Sequence, residues 1–565
     1  MMKRTISIIL SAVMLCSAAA CSSEGSSSSK AESSESEVKT TEAVEIDPSN
    51  PPEKLDLRNY NGKNYVTPIK SQLFGDCWTF AQAGAAEISY LFANNMGVPA
   101  GKENDQVNFS EKYISWYVFH GITKDDVVKG RVRVSQVGEG FDISEVEKNN
   151  PRAAFITGGE FIGNTTLFES GFGPVDESVT VKGETPYAYD DLWEGEWSLP
   201  LNAKYHNAPV SAFLKSAVQI PSPANIDADG KYSFNEDGLK SIKTELCKGH
   251  GVTIALRANQ MGFNKTKKVA YDGEVAIADH AVIIVGYDDT YSKDNFTMKD
   301  KSGKAIEGTT PQADGAFIIK NSWGLANMDK DPDDGYLYLS YYDHNLTPAL
   351  SYVFDAKSDN YSALNYDQYD LMITQWYGST DYEGETKTAN VFDAEEDENL
   401  FQIAYSTALP NTEVSFEVYK DVKEGNPASG TLLEKGVNTH DSKGFYKIDL
   451  KEQYSLKKGE KYSVVLTMKR KTDSGTAYTE IFPYSTEFST GLKVRGIINK
   501  GESFIYTDGK WSDMSENKDS LIQRAFKQGK EEIGSRKTAI PIQLESKDTF
   551  AVDNYPIKAI SIPSI

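Results

Sequence analysis

Three residues that lie far apart in the chain are of the types used in nucleophilic catalysis. Cys77 begins a segment in which apolar residues recur every three or four positions, which predicts a buried helix with this thiol at its N-terminal end. The unpaired amides and the dipole of such an end favour an anion, so we expect a lowered pKa for the Cys77 thiol. The carboxylate of Asp76 opposes this effect modestly, so a cationic partner is also needed. His280 precedes an apolar run at 281–287, which predicts a buried strand. Asn321 follows a second apolar run, and its amide can fix one tautomer of a histidine ring.

Together these side chains would supply a nucleophile, a general acid and base, and a group that orients the base. An imidazolium beside Cys77 stabilises a thiolate and can protonate a leaving amine. Trp323 lies two residues after Asn321 and can shield the bond between Asn321 and His280 from water. A single cysteine at a helix start is more often a small buried hydrophobe than a nucleophile. The hypothesis of peptide-bond cleavage through a thioester therefore depends on the fold bringing all three residues together.

The motifs around these residues are similar to those of the papain-like cysteine peptidases. They occur in the family's order and are VTPIKSQ at 66–72, CW at 77–78, DHAVIIVGY at 279–287 and KNSWG at 320–324. The resemblance covers about residues 55–355 and implies an α+β domain of two lobes, one helical and one β-barrel-like, with a cleft between them. It implies that Cys77 is the nucleophile and His280 the general acid and base, with Asn321 orienting the ring. Gln72 would donate to the oxyanion hole together with the Cys77 backbone amide.

The sequence departs from the family pattern just before the nucleophile. Gln72 stands five residues before Cys77, where the family has six, and Phe74 occupies the place of a family cysteine. Further along, the segment 158–178 resembles the one in which paired glycines admit the substrate backbone. The resemblance implies that Gly158 and Gly159 pair with an extended peptide, because glycine allows close backbone approach. Trp323 is the third residue that we assign to the substrate cleft.

We expect no cofactor, and one segment offers a structural calcium site as an alternative. Residues 225–236 fit the spacing of a twelve-residue calcium loop. The ligand positions are held by Asn225, Asp227, Asp229 and Glu236. Prolines just before the loop oppose the incoming helix that such a site requires. A β-hairpin that turns at Asp229-Gly230 explains the same residues, and we favour it.

The composition is that of an acidic, largely folded protein of several domains. The chain has 565 residues, of which 39% are hydrophobic, and 59 basic against 82 acidic residues give a net charge of −23. This balance disfavours nucleic acid as a partner, because binding to phosphate needs a cationic surface. We expect a monomer that acts on protein or peptide substrates.

The first 54 residues predict export and attachment to a membrane. Residues 1–20 combine a basic start with a short apolar run, as signal peptides do. Cys21 follows three alanines, which resembles the lipobox of bacterial lipoproteins, where the cysteine is lipidated; free secretion after ordinary cleavage is the alternative. Residues 21–54 are rich in Ser and Glu and predict a flexible tether. The expected location is the bacterial cell surface, with the lipid anchor as the contact with the membrane.

The second part of the chain, 356–565, has a different pattern of apolar and polar residues. Short segments such as 413–420 and 462–469 alternate apolar and polar residues between glycines, which predicts an antiparallel sandwich or barrel; we interpret the domain as an all-β sandwich. Its position after a papain-like domain resembles the lectin-like domain of some bacterial surface cysteine peptidases and implies glycan binding; a structural spacer is the alternative. The whole sequence therefore predicts a surface-anchored cysteine endopeptidase. A cell-wall amidase that pairs Cys with His, and an adhesin with a vestigial cleft, are the alternative functions.

Overall fold

The computed structural model describes residues 46–159, 161, 165–189, 195, 197–227, 229–258, 263–264, 267–324, 335–356, 364–371, 376–487, 491–535, 544 and 546–564. The predicted signal peptide (1–20) and the lipidation site Cys21 lie outside the described residues. The α-helices are α1 (Cys77–Ala93), α2 (Glu111–Val118), α3 (Ser144–Glu147), α4 (Ala153–Ile156), α5 (Thr166–Glu169), α6 (Ala203–His206), α7 (Glu236–Cys247) and α8 (Lys518–Ser535).

The strands divide between the two predicted domains. Those of the first are β1 (Lys54–Asp56), β2 (Lys63–Asn64), β3 (Val98–Pro99), β4 (Gly140–Asp142), β5 (Leu214–Ile220), β6 (Ala224–Ile226), β7 (Tyr232–Phe234), β8 (Val252–Leu256), β9 (Phe263–Asn264), β10 (Val269–Ala270), β11 (His280–Asp288), β12 (Ala316–Lys320), β13 (Tyr336–Ser340) and β14 (Ala349–Phe354). Those of the second are β15 (Asn365–Asp367), β16 (Trp376–Tyr382), β17 (Lys387–Asp393), β18 (Glu398–Thr407), β19 (Thr412–Lys420), β20 (Thr431–His440), β21 (Gly444–Leu456), β22 (Lys461–Thr472), β23 (Gly475–Thr486), β24 (Lys493–Arg495), β25 (Ser503–Thr507), β26 (Lys510–Asp513), β27 (Phe550–Val552) and β28 (Ile557–Pro563).

One large sheet contains strands from both halves of the chain. Within the described residues it has thirteen strands, in the order β15-β28-β18-β21-β5-β14-β8-β11-β12-β13-β10-β9, with β1 paired to β11. Strand β5 pairs with β14 on one side and with β21 on the other. The hydrogen-bonded sheet is therefore continuous across the predicted boundary near residue 355, and the residues from Glu45 onward form one compact unit.

Helix α1 packs against the strands that carry the catalytic candidates. Its sequence is rich in alanine, which favours a helix and lets the backbone approach a neighbouring surface closely. Gly84, in the middle of α1, faces β11, and a Cβ at this position would lie 2.3 Å from Ile283 Cδ1. A side chain at Gly84 would thus push α1 away from β11. The close packing keeps the first residue of α1 beside the first residues of β11.

The second half is a sandwich of β-sheets with one long helix. Within the described residues, a nine-stranded sheet includes β16, β17, β19, β20, β22, β23 and β25–β27, and its strands β17 and β22 pack on β28 of the large sheet. The prediction of a β sandwich is confirmed. Helix α8 was not predicted; it buries Leu521 and Ala525 and packs on β27. Gly529 of α8 allows this contact, since a Cβ there would lie 2.5 Å from the ring of Phe550.

Buried polar contacts join the two halves beyond the shared sheet. Arg133 pairs with Asp367 at 2.8 Å, and the Asp367 side chain is 3% exposed. The Tyr377 hydroxyl donates to Glu169 Oε2 at 2.8 Å. Such contacts favour a fixed orientation between the halves, because each leaves a buried charge or hydroxyl unpaired when broken.

The end of the predicted tether is packed rather than free. Residues 46–54 belong to the predicted tether 21–54, yet Lys54 already begins β1, which pairs with β11. The Tyr287 hydroxyl donates to the carbonyl of Pro52 at 2.9 Å. The prediction of flexibility was therefore wrong for 46–54, because polar composition does not reveal backbone groups that pair with a neighbouring strand. None of the helices in the described part of the chain combines the length and apolar character needed to cross a membrane.

Candidate active site

The Cys77 thiol lies at the N-terminus of α1, beside the start of β11. Cys77 is the first residue of the helix and its side chain is partly exposed. The backbone N–H of Ala281 donates to Cys77 Sγ across 3.4 Å. Because Ala281 follows His280 directly, this contact places the sulfur beside the backbone that carries the histidine.

His280 is held by the amide of Asn321. His280 Nε2 lies 2.7 Å from Asn321 Oδ1, and both side chains are buried. The two residues meet because β11 and β12 pair antiparallel, with Ile283 opposite Lys320. With Nε2 bonded to an amide oxygen, Nε2 carries the proton of the neutral ring and Nδ1 is left to exchange a proton with the thiol.

Trp323 covers the bond between His280 and Asn321. Its ring stacks on the His280 ring, with centroids 4.7 Å apart and an angle of 29° between the planes. The loop that holds it is docked by the Gly324 N–H, which donates to the Lys70 carbonyl at 3.0 Å. Gly324 has φ +64°, and a Cβ there would lie 2.6 Å from Ser71 Cβ, so glycine is required at this position. We assigned Trp323 to the cleft, and in the structure its ring contacts the His280 ring.

Gln72 lies against the same loop. Its backbone N–H donates to the Ser322 carbonyl at 2.7 Å, and its Oε1 accepts from Ser322 Oγ at 2.6 Å. Its Nε2 donates to the Phe74 carbonyl at 2.7 Å. One of the two amide hydrogens is therefore used within the loop before Cys77, and the role of Gln72 in an oxyanion hole stays a prediction.

The paired glycines lie near this loop. Gly158 has φ +82°, and both Gly158 and Gly159 are partly exposed. The segment leading to them touches the loop before the nucleophile, since a Cβ on Gly75 would lie 3.7 Å from the Ile156 carbonyl oxygen. The structure thus brings Gly158 and Gly159 to the neighbourhood of Cys77, and their pairing with a substrate stays a prediction.

The pKa shifts of Cys77 and His280 differ from the expected ones. Burial raises the pKa of Cys77 to about 11, against the Ala281 hydrogen bond, and the nearby carboxylates of Asp76 and Asp279 raise it further. Burial also lowers the pKa of His280, against the hydrogen bond that its Nε2 donates to Asn321 Oδ1. The prediction of a lowered thiol pKa was wrong, because burial of the sulfur and the nearby carboxylates disfavour the charged thiolate. Both shifts favour the uncharged forms, a thiol on Cys77 and a neutral imidazole on His280.

The segment that we considered as an alternative calcium loop contains a β-hairpin. Asn225 pairs with Ser233 across β6 and β7, and Asp227 Oδ1 accepts from the backbone N–H groups of Asp229 and Lys231 at 3.0 and 2.8 Å. Glu236 begins α7. In the described residues no group of three or more His, Cys, Asp or Glu side chains is placed to hold a metal ion. The hairpin that we favoured is confirmed.

Tyr189 was missed from the sequence, and the burial of Asp76 was not predicted. Asp76 is fully buried directly before Cys77, and its Oδ2 accepts a hydrogen bond from the Tyr189 hydroxyl at 2.8 Å. Tyr189 belongs to a loop with no motif, so no signal identified it. The position of Asp76 directly before Cys77 predicted its opposing charge but not its burial.

Comparison with known proteins identifies the fold that carries this site. Residues 366–526 match the family model of the lectin-like domain. Two solved structures share the fold over most of the chain, and both are of the clostridial cysteine protease Cwp84. The structure after propeptide cleavage has 20% identity and a TM-score of 0.59, covering 90% of this chain and 99% of that one.

The second structure contains the cysteine protease and lectin-like domains of Cwp84, a surface layer associated protein of Clostridium difficile. It has 19% identity and a TM-score of 0.59, and covers 91% of this chain and 90% of that one. No curated protein sequence matches the chain. The fold is papain-like, with a lectin-like domain after it. The papain-like domain carries Cys77, His280 and Asn321, and the match at 366–526 lies within the predicted range 356–565 of the lectin-like domain.

Proposed function

We propose that this protein is a cysteine-type endopeptidase whose nucleophile is Cys77. The observation that carries the proposal is the contact between α1 and β11, where Ala281 N–H meets Cys77 Sγ and His280 is bonded to Asn321. A buried histidine that served only packing would not need a thiol on one side and an orienting amide on the other.

In the proposed mechanism the thiol proton moves to His280 Nδ1 as the sulfur attacks the peptide carbonyl carbon. The new C–S bond gives a tetrahedral oxyanion, which the Cys77 backbone N–H and the Gln72 amide stabilise. The imidazolium then donates its proton to the leaving amine as the C–N bond breaks, which leaves a thioester on Cys77. Water attacks the thioester with His280 as base, and the carboxylic acid product leaves with the thiol restored. Asn321 holds the ring in place throughout.

Cleavage of casein by variants of the full chain tests the proposal. Cys77→Ala removes the nucleophile, and Cys247→Ala is the matched control, because Cys247 is a buried thiol 1% exposed. We expect cleavage by the unchanged protein and by Cys247→Ala, and none by Cys77→Ala. Equal cleavage by Cys77→Ala would contradict the proposal. Release of cell-wall peptides with no casein cleavage would favour the amidase, and surface binding with no hydrolysis would favour the adhesin.

We further propose that the protein acts at the cell surface, held there by lipid on Cys21. The predicted signal peptide and lipobox support this location, and Cwp84, with the same fold, is described as surface layer associated. Mass spectrometry of the mature N-terminus tests the anchor. A diacylglycerol-modified Cys21 is the expected result, and an unmodified N-terminus in the culture medium would support secretion.

The lectin-like domain favours glycan as a second partner. A groove of about 800 Å³ lies in this domain, between the β16–β17 and β25–β26 turns and α8. At its floor the buried Glu480 accepts from Tyr382 and Tyr555 at 2.9 and 2.7 Å. Asp508 and Tyr506 line its side and offer a carboxylate and a ring, the groups that bind sugar hydroxyls and sugar faces.

Binding of the full chain to a glycan array tests this partner. We expect Tyr506→Ala and Asp508→Ala to weaken the binding, and Tyr454→Ala, on β21 and outside the groove, to leave it unchanged. Absence of binding to any glycan would favour the spacer.

A further inference from the structure

Asp76 occupies the N-cap position of α1 without acting as a cap. An aspartate at this position normally accepts a hydrogen bond from a backbone N–H of the first helical turn. The Asp76 side chain makes no such bond, and the residue is fully buried. The usual reason for an aspartate at a helix start therefore does not explain this one.

In the described residues the Asp76 carboxylate accepts from a tyrosine hydroxyl, is further stabilised by the backbone amides of Phe74 and Asp76, and pairs with no cation. Tyr189 donates its hydroxyl to Asp76 Oδ2 at 2.8 Å and accepts from the Leu73 N–H at 3.2 Å. The Tyr189 ring is fixed by edge contacts with Phe80 and Trp197, at centroid distances of 5.0 and 4.8 Å. In the described residues Asp76 Oδ1 is buried without a hydrogen-bond partner, and no basic side chain forms an ion pair with Asp76.

The other charged groups near Cys77 differ from Asp76, because they are paired with an opposite charge or are more exposed to solvent. Glu111 of α2 is paired with Lys70 at 2.7 Å. Asp279, before β11, is exposed and accepts from the Ala258 N–H at 2.8 Å. His280 is the basic group that β11 brings to the thiol. Asp76 is thus the buried acid beside the sulfur whose charge no cation neutralises in the part of the chain that the structure describes.

We propose that Asp76 is a charge-setting residue of the active site, whose buried carboxylate disfavours the thiolate and keeps Cys77 in the thiol form in the free protein. This inference rests on the proposed function, and it gives a way to restrain the nucleophile between substrates. Burial raises the pKa of Asp76 to about 7, against the Tyr189 bond, so its charge changes near neutral pH. Its charge in turn raises the pKa of Cys77.

Alkylation of Cys77 by iodoacetamide, followed by mass spectrometry of the peptide that contains it, tests the inference without any substrate. Asp76→Asn removes the charge and keeps an oxygen that accepts from Tyr189. We expect alkylation of Cys77 in this variant to be about tenfold faster at pH 8, as for a thiol pKa lowered by one unit. Alkylation of Cys247 in the same sample is the internal control and should not change.

Tyr189→Phe separates charge from structure. It removes the link between Asp76 and Leu73 but keeps the carboxylate, so at pH 9 it should alkylate no faster than the unchanged protein. A purely structural role predicts that both variants change the rate alike, and equal rates for Asp76→Asn and the unchanged protein at every pH would overturn the inference.

If Asp76→Asn does not fold, the unchanged protein decides the question. As Asp76 ionises between pH 6 and 8, the alkylation rate of Cys77 should rise less than tenfold per pH unit. A full tenfold rise per pH unit would count against the inference. If the unchanged protein does not cleave casein but its Cys77 shows this pH dependence of alkylation, the proposed peptidase activity is refuted and the role of Asp76 is not.

Discussion

Replacing Asn321 with alanine removes the side chain that bonds His280 Nε2 and so orients the ring of the proposed acid and base. Asn321 Oδ1 accepts from His280 Nε2 at 2.7 Å and from the Ser322 N–H at 2.9 Å. Without this oxygen the ring can rotate or take the other tautomer, which places a proton on Nδ1. A ring in that state cannot accept the thiol proton, so we expect Asn321→Ala to lower kcat/KM.

The magnitude follows from the charge that His280 gains. Once the ring is protonated, its bond to Asn321 is charge-assisted, and bonds of this kind contribute about 1.5 to 3 kcal/mol. Each 1.36 kcal/mol changes a rate about tenfold. The expected loss in kcat/KM is therefore about 10- to 150-fold, well short of the complete loss expected for Cys77→Ala.

The assay is hydrolysis of a fluorogenic peptide by the full chain, with two matched controls. Asn321→Asp keeps an acceptor for His280 and should retain more activity than Asn321→Ala at neutral pH. Asn345→Ala removes a buried amide that accepts from the Ala276 N–H at 2.6 Å and donates to the Glu274 carbonyl at 2.8 Å. This control should lose thermal stability and keep its kcat/KM within about threefold, as for an uncoupled site. A kcat/KM for Asn321→Ala equal to that of Asn345→Ala would refute the reasoning.

Three further predictions concern the cover of the site, the junction and the acid range. Trp323→Ala removes a stacked ring worth about 0.5 to 1.5 kcal/mol, so kcat/KM should fall about 2- to 12-fold. Trp323→Phe should recover part of this loss. An unchanged kcat/KM in Trp323→Ala would contradict the shielding role. Arg133→Ala leaves Asp367 buried without its cation, which should lower the free energy of unfolding by about 3 to 5 kcal/mol. Both domains should still unfold in one denaturant transition, because they share a sheet. Two transitions would contradict the shared sheet. Burial opposes ionisation of Glu245, yet hydrogen bonds from His250 and Lys248 lower its pKa to about 2, below the ordinary value of 4.5. The resulting stability, about 3 kcal/mol, is present above pH 4.5 and lost as the pH falls toward 2, so Glu245→Gln should lower the melting temperature at pH 7 and not at pH 2.

The positions of the catalytic candidates could be predicted because each depends on a local pattern. Apolar residues at helical spacing predicted that Cys77 would begin a helix, and an apolar run predicted that His280 would begin a buried strand. The order of the motifs then implied that Asn321 would meet His280, as it does. The amide network of Gln72 and Ser322 follows from the docking of two loops, which no local pattern encodes.

The features that were missed depend on packing between distant segments. The raised pKa of Cys77 arises from burial and from Asp76, and the depth of burial is set by how closely α1 packs on β11 at Gly84. Tyr189 reaches Asp76 from a loop more than a hundred residues away. The continuous sheet depends on the pairing of β5 with β21, and strand partners cannot be read from alternation alone.

Covalent labelling with an epoxysuccinyl inhibitor of cysteine peptidases tests most directly whether Cys77 is the reactive thiol. The full chain is incubated with the inhibitor at neutral pH, and the modified residue is identified by peptide mass spectrometry. We predict one adduct, on Cys77, that is absent from Cys77→Ala and much slower to form in His280→Ala. An adduct on Cys247, or equal labelling of Cys77 with and without His280, would contradict the account.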